Sequence, residues 1–169
     1  IIVASNQAGV ARGYFSVSTM REINDHIKNL LESQGIELDA SICCPFVDEE
    51  YAKKINMAVD SPFRAFVKDI GFRKPGIGML ESAASSLGLT LKGFSGIYFV
   101  GDKSTDVQTG LNAKGYGILV NNGENSKELT LTQKLNESPE YNGRILIASS
   151  LLNAAQKIIQ DTQKNRRVN

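Results

Sequence analysis

The sequence predicts an α/β fold built on a doubly wound, Rossmann-like parallel sheet. Two observations carry that expectation. Short apolar runs such as Ile97-Tyr98-Phe99-Val100 and Tyr116–Val120 alternate along the chain with longer stretches whose apolar residues recur at helical spacing. Each run also stops at a polar or glycine turn, as in Ala4-Ser5-Asn6 and Val100-Gly101-Asp102, which is how a strand buried on both faces hands over to a loop at its carboxyl end.

Taken in order, Ile1-Ile2-Val3-Ala4 reads as a buried strand, followed by a loop containing Gly9 and Gly13. Ser18 is the expected cap of a helix through about Gly35, with Met20, Ile23, Ile27, Leu30 and Leu31 on one apolar face. Asp39 to Cys44 is the second strand, closed by Pro45, and a short helix follows from about Asp48 to Val59. The stretch around Ser61-Pro62 reads as irregular, and Arg73-Lys74-Pro75-Gly76 as a loop feeding a helix from Ile77 to Leu87, stopped by Gly88. A strand at Ile97 to Val100, a helix from Ser104 to Ala113 and a strand from Tyr116 to Val120 complete a βαβ unit. Asn121 to Gly143 is polar and loop-rich; Ile145 to Ala148 and Leu151 to Ile159 make a last strand and an amphipathic helix.

A chain of 169 residues, 41% hydrophobic and 22% charged, fits one globular domain over 1–169. A formal charge of +1 without an extended basic stripe argues against a nucleic-acid partner, and Lys164-Asn165-Arg166-Arg167 reads as a solvated tail. No run approaches the roughly 18 apolar residues of a membrane span, and no signal peptide is visible. A cytoplasmic setting is expected, with no membrane partner; oligomeric state is left open. Cys43 and Cys44 are adjacent and have no other cysteine to pair with, so they are expected to be reduced, buried and inert. His26 lies among polar helix neighbours and reads as surface. Because Ile1 stands inside a strand-like run, an N-terminal piece including a first strand is expected to be absent.

Chemistry concentrates at three places. Asp102, after an apolar strand and a glycine, is placed to hold Mg²⁺, a hard cation that takes oxygen ligands from one or two carboxylates and a substrate phosphate. Asp106, one helical turn on, could support it. Ser5 offers a hydroxyl and Asn6 a backbone N–H to phosphate oxygens, and Lys74 a compact positive charge for a phosphoryl group in transit. Alone, a Ser-Asn pair is usually a cap or turn, and Arg-Lys-Pro-Gly an exposed loop. Together, in this order on a parallel sheet, they are expected to converge on one site.

The stretches Ser5 to Tyr14, Arg73 to Gly76 with Met79, and Val100 to Asp106 resemble the haloacid dehalogenase (HAD) superfamily, and within it the heptose bisphosphate phosphatase and histidinol phosphatase branch. The resemblance runs from Ile1 to about Val120. It implies a Mg²⁺-dependent phosphatase with a small cap or none, acting through an aspartyl-phosphate on a small phosphorylated metabolite, plausible examples being a sugar phosphate such as D-glycero-D-manno-heptose 1,7-bisphosphate. It further implies that Ser5 and Lys74 act in catalysis with the Mg²⁺ ligand Asp102, that Asn6, Gln7 and Arg73 meet the substrate, that Lys103 contacts the site and that Arg12 stands near its mouth. The superfamily's nucleophile and acid/base pair lie in an Asp-x-Asp-Gly motif that these 169 residues lack. Zinc-bearing relatives carry Cys-Pro-His and Cys-x-Cys where this chain has Cys44-Pro45-Phe46 and Ile70-Gly71-Phe72. With one possible ligand of four left, no zinc is expected, and Phe46, Ile70 and Phe72 are expected to pack in its place. Other readings are a non-catalytic phosphate-binding module, a histidinol phosphatase, and, through Phe72-Arg73-Lys74-Pro75, a polynucleotide 3′-phosphatase.

Overall fold

The computed structural model describes residues 1–68 and 71–168, with side chains up to Gln163. It divides into two compact units, Ile1–Gly93 and the chain from Phe94 onward.

In the first unit, β1 (Ile2–Asn6) leads through the short α1 (Ala8–Ala11) to α2 (Val17–Ser33) and β2 (Ala40–Cys44), then α3 (Glu49–Lys54), a 3₁₀ turn at Pro62–Phe66 and α4 (Gly78–Ser86). β1 and β2 pair in parallel, with Ser5 opposite Cys43, and α4 packs on both strands. The cap of α2 is Ser16, whose hydroxyl accepts from Thr19 N, and not Ser18, which bonds Glu22 instead. Only Met20 of the expected α2 face is buried, while Ile23, Ile27 and Leu30 are exposed. β1 is half-buried throughout, not fully buried, because β2 is its one strand neighbour among the described residues. The loop expected after β1 contains α1, and the irregular stretch at Ser61-Pro62 is the 3₁₀ turn, capped by Ser61.

The second unit runs β3 (Tyr98–Gly101), α5 (Ser104–Asn112), β4 (Tyr116–Val120), α6 (Ser126–Asn136), a 3₁₀ turn at Pro139–Tyr141, β5 (Ile145–Ala148) and α7 (Leu151–Val168). Its three strands are parallel in the order β3-β4-β5. Successive side chains of β4 point to opposite faces, and both are fully buried. Leu119 joins Val107 and Leu111 of α5, with Leu129 and Leu135 of α6 packed against them. Ile118 joins Ala148 and Ala154 of α7. This sheet is therefore covered by helices on both faces, the arrangement a parallel sheet needs. β3 pairs with β4 alone among the described residues, so only Phe99 of its apolar run is buried.

Two expectations fail here. Asn121 to Gly143 is not mainly loop: it contains α6, capped by Asn125, and a 3₁₀ turn. The last helix runs well past Ile159, although the side chains of Lys164 to Arg167, read as a solvated tail, lie outside the described ones. No described helix is long and apolar enough to cross a membrane.

Candidate active site

In the first unit, the strand-end residues are tied to the Arg73–Gly76 loop by reciprocal hydrogen bonds. Asn6 donates from Nδ2 to Lys74 O at 3.3 Å and accepts on Oδ1 from Lys74 N at 3.1 Å. The Lys74 ammonium reaches back to Ala4 O at 2.9 Å, beside the residue that carries the Ser5 hydroxyl. Gln7 Nε2 donates to Ser5 Oγ at 3.2 Å, while Gln7 N binds Cys44 O at 2.8 Å and holds the segment against β2. The side chain of Asn6 thus clamps a loop, and that of Gln7 orients a hydroxyl. The loop is tight: a Cβ on Gly76 would stand 2.1 Å from Gly71 O, so only glycine fits.

Arg73 donates from Nη1 to Phe46 O at 3.3 Å, and its guanidinium lies 5.0 Å from the centre of the Tyr51 ring. Arg12 lies 5.3 Å from that same ring and 5.7 Å from the ring of Tyr14. The hydrogen bond to Tyr14 and the neighbouring Tyr51 raise the Arg12 pKa further, so it is charged at every accessible pH. An open recess of about 370 Å³ beside Arg12 is lined by Tyr14, Ile55, Met57, Ser61 and Phe63 among others. Cys44 is buried, and Cys43 is half-buried near Lys74; burial pushes both thiols up. Phe46 takes Phe66 and Lys68 as its neighbours, with ring centres 6.3 Å apart and the ammonium 5.0 Å away; Ile70 lies outside the described residues.

In the second unit, Asp102 is exposed at the carboxyl end of β3. It borders an open recess of about 610 Å³ with Val120, Asn122, Glu124, Asn125, Ser149 and Ser150, all of which except Val120 carry side-chain oxygens. The turn under it is closed by Asp106, 3% exposed, whose Oδ2 accepts from Lys103 N at 3.0 Å. Ser104 donates from both N and Oγ to Glu128 Oε2 of α6, each at 2.7 Å. Burial alone would raise the Glu128 carboxyl, but these two bonds, with Lys127 and Lys103 nearby, hold it below the usual range.

The structure therefore brings Ser5, Asn6, Gln7, Arg73 and Lys74 together in the first unit, with Arg12 joined to Arg73 through Tyr51. In the second unit it brings Asp102, Lys103 and Asp106 together. Sequence reasoning missed Tyr51 and Glu128. Neither belongs to a motif, and Glu128 sits in the segment read as loop.

A HAD-hydrolase-like family model matches residues 71–153. The D-glycero-D-manno-heptose-1,7-bisphosphate 7-phosphatase of Thermosynechococcus vestitus is 34% identical over 152 residues, covering 87% of this chain and 70% of its own length. This chain belongs to the HAD-like hydrolases. The HAD-like chain is also 32% identical over 133 residues to the enzyme of the same name from Chlorobaculum tepidum, of which it spans 60%. Among solved structures, a D,D-heptose 1,7-bisphosphate phosphatase from B. bronchiseptica, complexed with magnesium and phosphate, matches with a TM-score of 0.63 at 25% identity. That match covers 95% of the HAD-like chain and 74% of the other.

Proposed function

We propose that this chain carries the phosphate- and cation-binding groups of a Mg²⁺-dependent phosphomonoester hydrolase. The proposed substrate is a small phosphorylated metabolite, a sugar phosphate such as D-glycero-D-manno-heptose 1,7-bisphosphate, in keeping with the similar proteins. The observation that carries the reading is the Lys74 ammonium, fixed at the end of β1 beside Ser5 by the two-point grip of Asn6 on the Lys74 backbone. A cation and a hydroxyl held in place before substrate arrives need no reorganisation as charge develops on the phosphoryl oxygens.

The donor set of Asp102 fits Mg²⁺: its carboxylate is exposed, has no described partner and borders a recess with the side-chain oxygens of Asn122, Glu124, Asn125, Ser149 and Ser150. When bound, Mg²⁺ supplies charge neutralisation at the transferring phosphoryl group. Asp102 is its ligand in this reading and Asp106 holds the turn that presents it. Ser5 donates to a phosphoryl oxygen, Lys74 neutralises another, Arg73 and Lys103 bind the substrate, and Asn6 and Gln7 keep the first two in position. A nucleophilic aspartate from outside these 169 residues, which contain no Asp-x-Asp, is part of the proposal. Zinc has no role in it, since Phe46 and Phe72 offer no ligand atom. A reducing, cytoplasmic setting is part of the proposal, in keeping with Cys43 and Cys44 as free thiols.

The test is phosphate release from heptose 1,7-bisphosphate by the full-length protein, with Mg²⁺ or with EDTA. Turnover is expected with Mg²⁺ alone, and Lys74→Ala or Asp102→Asn is expected to lower it by about 10² or more. Full activity in Asp102→Asn overturns the mechanism. The rival reading is a non-catalytic phosphate-binding module, which would bind orthophosphate through Lys74 and release none from the ester. A polynucleotide 3′ end is disfavoured by the near-neutral charge of +1.

A further inference from the structure

The loop that leaves the carboxyl end of β4 carries a reactive group that the mechanism does not use, the side-chain amide of Asn122. Gly123 follows it, and both residues are exposed. Asn122 Oδ1 accepts from Glu124 N at 3.2 Å, and Asn122 Nδ2 donates to Glu124 Oε2 at 2.8 Å. The first of these bonds makes an Asx turn, which folds the side chain back along the backbone. The ring of atoms closed by that turn includes the Gly123 nitrogen, so the amide carbon Cγ is held on the nitrogen that can attack it.

Two features favour the attack and one restrains it. The Glu124 N–H on Oδ1 draws electron density from Cγ and is placed to stabilise the oxyanion that forms there. Gly123 has φ +96° and no atom within 4 Å of where a Cβ would stand, so nothing obstructs closure of a five-membered ring. The restraint is the bond from Gly123 N to Asn121 Oδ1 at 2.8 Å, which must open first. That bond is solvent-exposed and exchanges with water at little net cost. The same dipeptide recurs at Asn142-Gly143, also exposed, but Asn142 does not border the Asp102 recess, whereas Asn122 does.

We infer that Asn122 is a modification site, where spontaneous attack by Gly123 N converts the amide to an acid and gives the Asp102 recess a third carboxylate. The step balances without an oxidant or reductant. Gly123 N loses its proton and bonds to Asn122 Cγ, the Cγ–Nδ2 bond breaks, and the displaced amide nitrogen takes up a proton and leaves as ammonia. Water then opens the cyclic imide at either carbonyl, giving aspartate or isoaspartate. The new carboxylate can no longer donate to Glu124, and two acids that were bridged by an N–H now repel each other. A divalent cation beside Asp102 relieves that repulsion, so the aspartate form is expected to bind Mg²⁺ more tightly. This last consequence rests on the reading of Asp102 as the Mg²⁺ ligand; the modification itself does not.

The test incubates the full-length protein in warm neutral buffer and follows it by peptide mapping and isoaspartate assay. The peptide containing Asn122 is expected to show the mass change of amide-to-acid exchange, with aspartate and isoaspartate as products. Asn121→Ala, which frees Gly123 N, is expected to speed conversion at least about threefold, and Gly123→Ala to slow it at least about tenfold. Conversion confined to Asn142, or an Asn122 rate unmoved by both variants, overturns the inference. Calorimetric titration with MgCl₂, without substrate, is expected to give at least about threefold tighter binding in Asn122→Asp than in wild type. Equal or weaker binding overturns the gain assigned to the third carboxylate. Asp102→Asn keeps the two ideas apart: Mg²⁺ affinity unchanged in that variant defeats the reading of Asp102, while the peptide map still decides what happens at Asn122.

Discussion

A carboxylate at the end of a strand serves a cation well only if the turn beneath it is rigid. At Asp102 that rigidity depends on Gly101 and Asp106. A Cβ at Gly101 would stand 2.2 Å from Asp106 Oδ2 and 2.5 Å from Asp106 Cβ, so the strand can pass over the buried carboxylate only as glycine. That carboxylate accepts from Lys103 N, the residue next to Asp102. Gly101→Ala must therefore displace the acid that caps α5. The expected cost is about 1–3 kcal/mol from overpacking and the lost cap, read as a lower urea midpoint, together with weaker Mg²⁺ binding by titration. An alanine variant with unchanged midpoint and unchanged Mg²⁺ affinity would show that the turn tolerates the methyl group.

At the scale of elements, α6 matters because Glu128 ties it to the first turn of α5. The carboxylate takes both the N–H and the hydroxyl of Ser104, and its folded pKa is depressed despite burial. A depressed carboxyl stabilises the fold above its unfolded pKa, and the contribution fades as pH falls through the lower folded value. Glu128→Ala should lower the urea midpoint at pH 7, and the difference from wild type should shrink as pH drops below the ordinary glutamate range; a gap that widens in acid contradicts the assignment. The sequence hid this helix for a physical reason. The buried residue on its inner face is Thr132, between the packed Leu129 and Leu135, so a polar side chain interrupts the apolar period. By contrast, β4 and β5 were legible to the residue, since Tyr116–Val120 and Ile145–Ala148 are bounded by glycine, asparagine, arginine and serine. The strand-end positions of Ser5 and Asp102 were legible too, because each follows an apolar run, and Lys74 was legible as part of a loop that precedes α4. Tyr51 was not: the contact that gives it meaning joins Arg12 and Arg73, which are distant in sequence.

Across the whole chain, stability should be distributed unevenly. The second unit has a sheet covered on both faces, with Ile118 and Leu119 of β4 fully buried on opposite sides and parallel partners on both edges of that strand. In the first unit β1 has one described strand neighbour and no fully buried residue. Amide exchange follows local opening, and segments with fewer buried contacts open at lower free energy than the global transition. The amides of Gly117 to Val120 should therefore be the best protected of any strand, and those of Ile2 to Ser5 should exchange at least about tenfold faster, by an opening smaller than global unfolding. Native-state hydrogen exchange resolved by residue tests this directly, with low urea separating local from global opening. Equal protection of the two strands would mean that β1 is held by more than its described partners. The expected order instead places Ser5 on the more easily opened strand and leaves Lys74, bonded to Ala4 and Asn6 of that strand, as a contact that closes it.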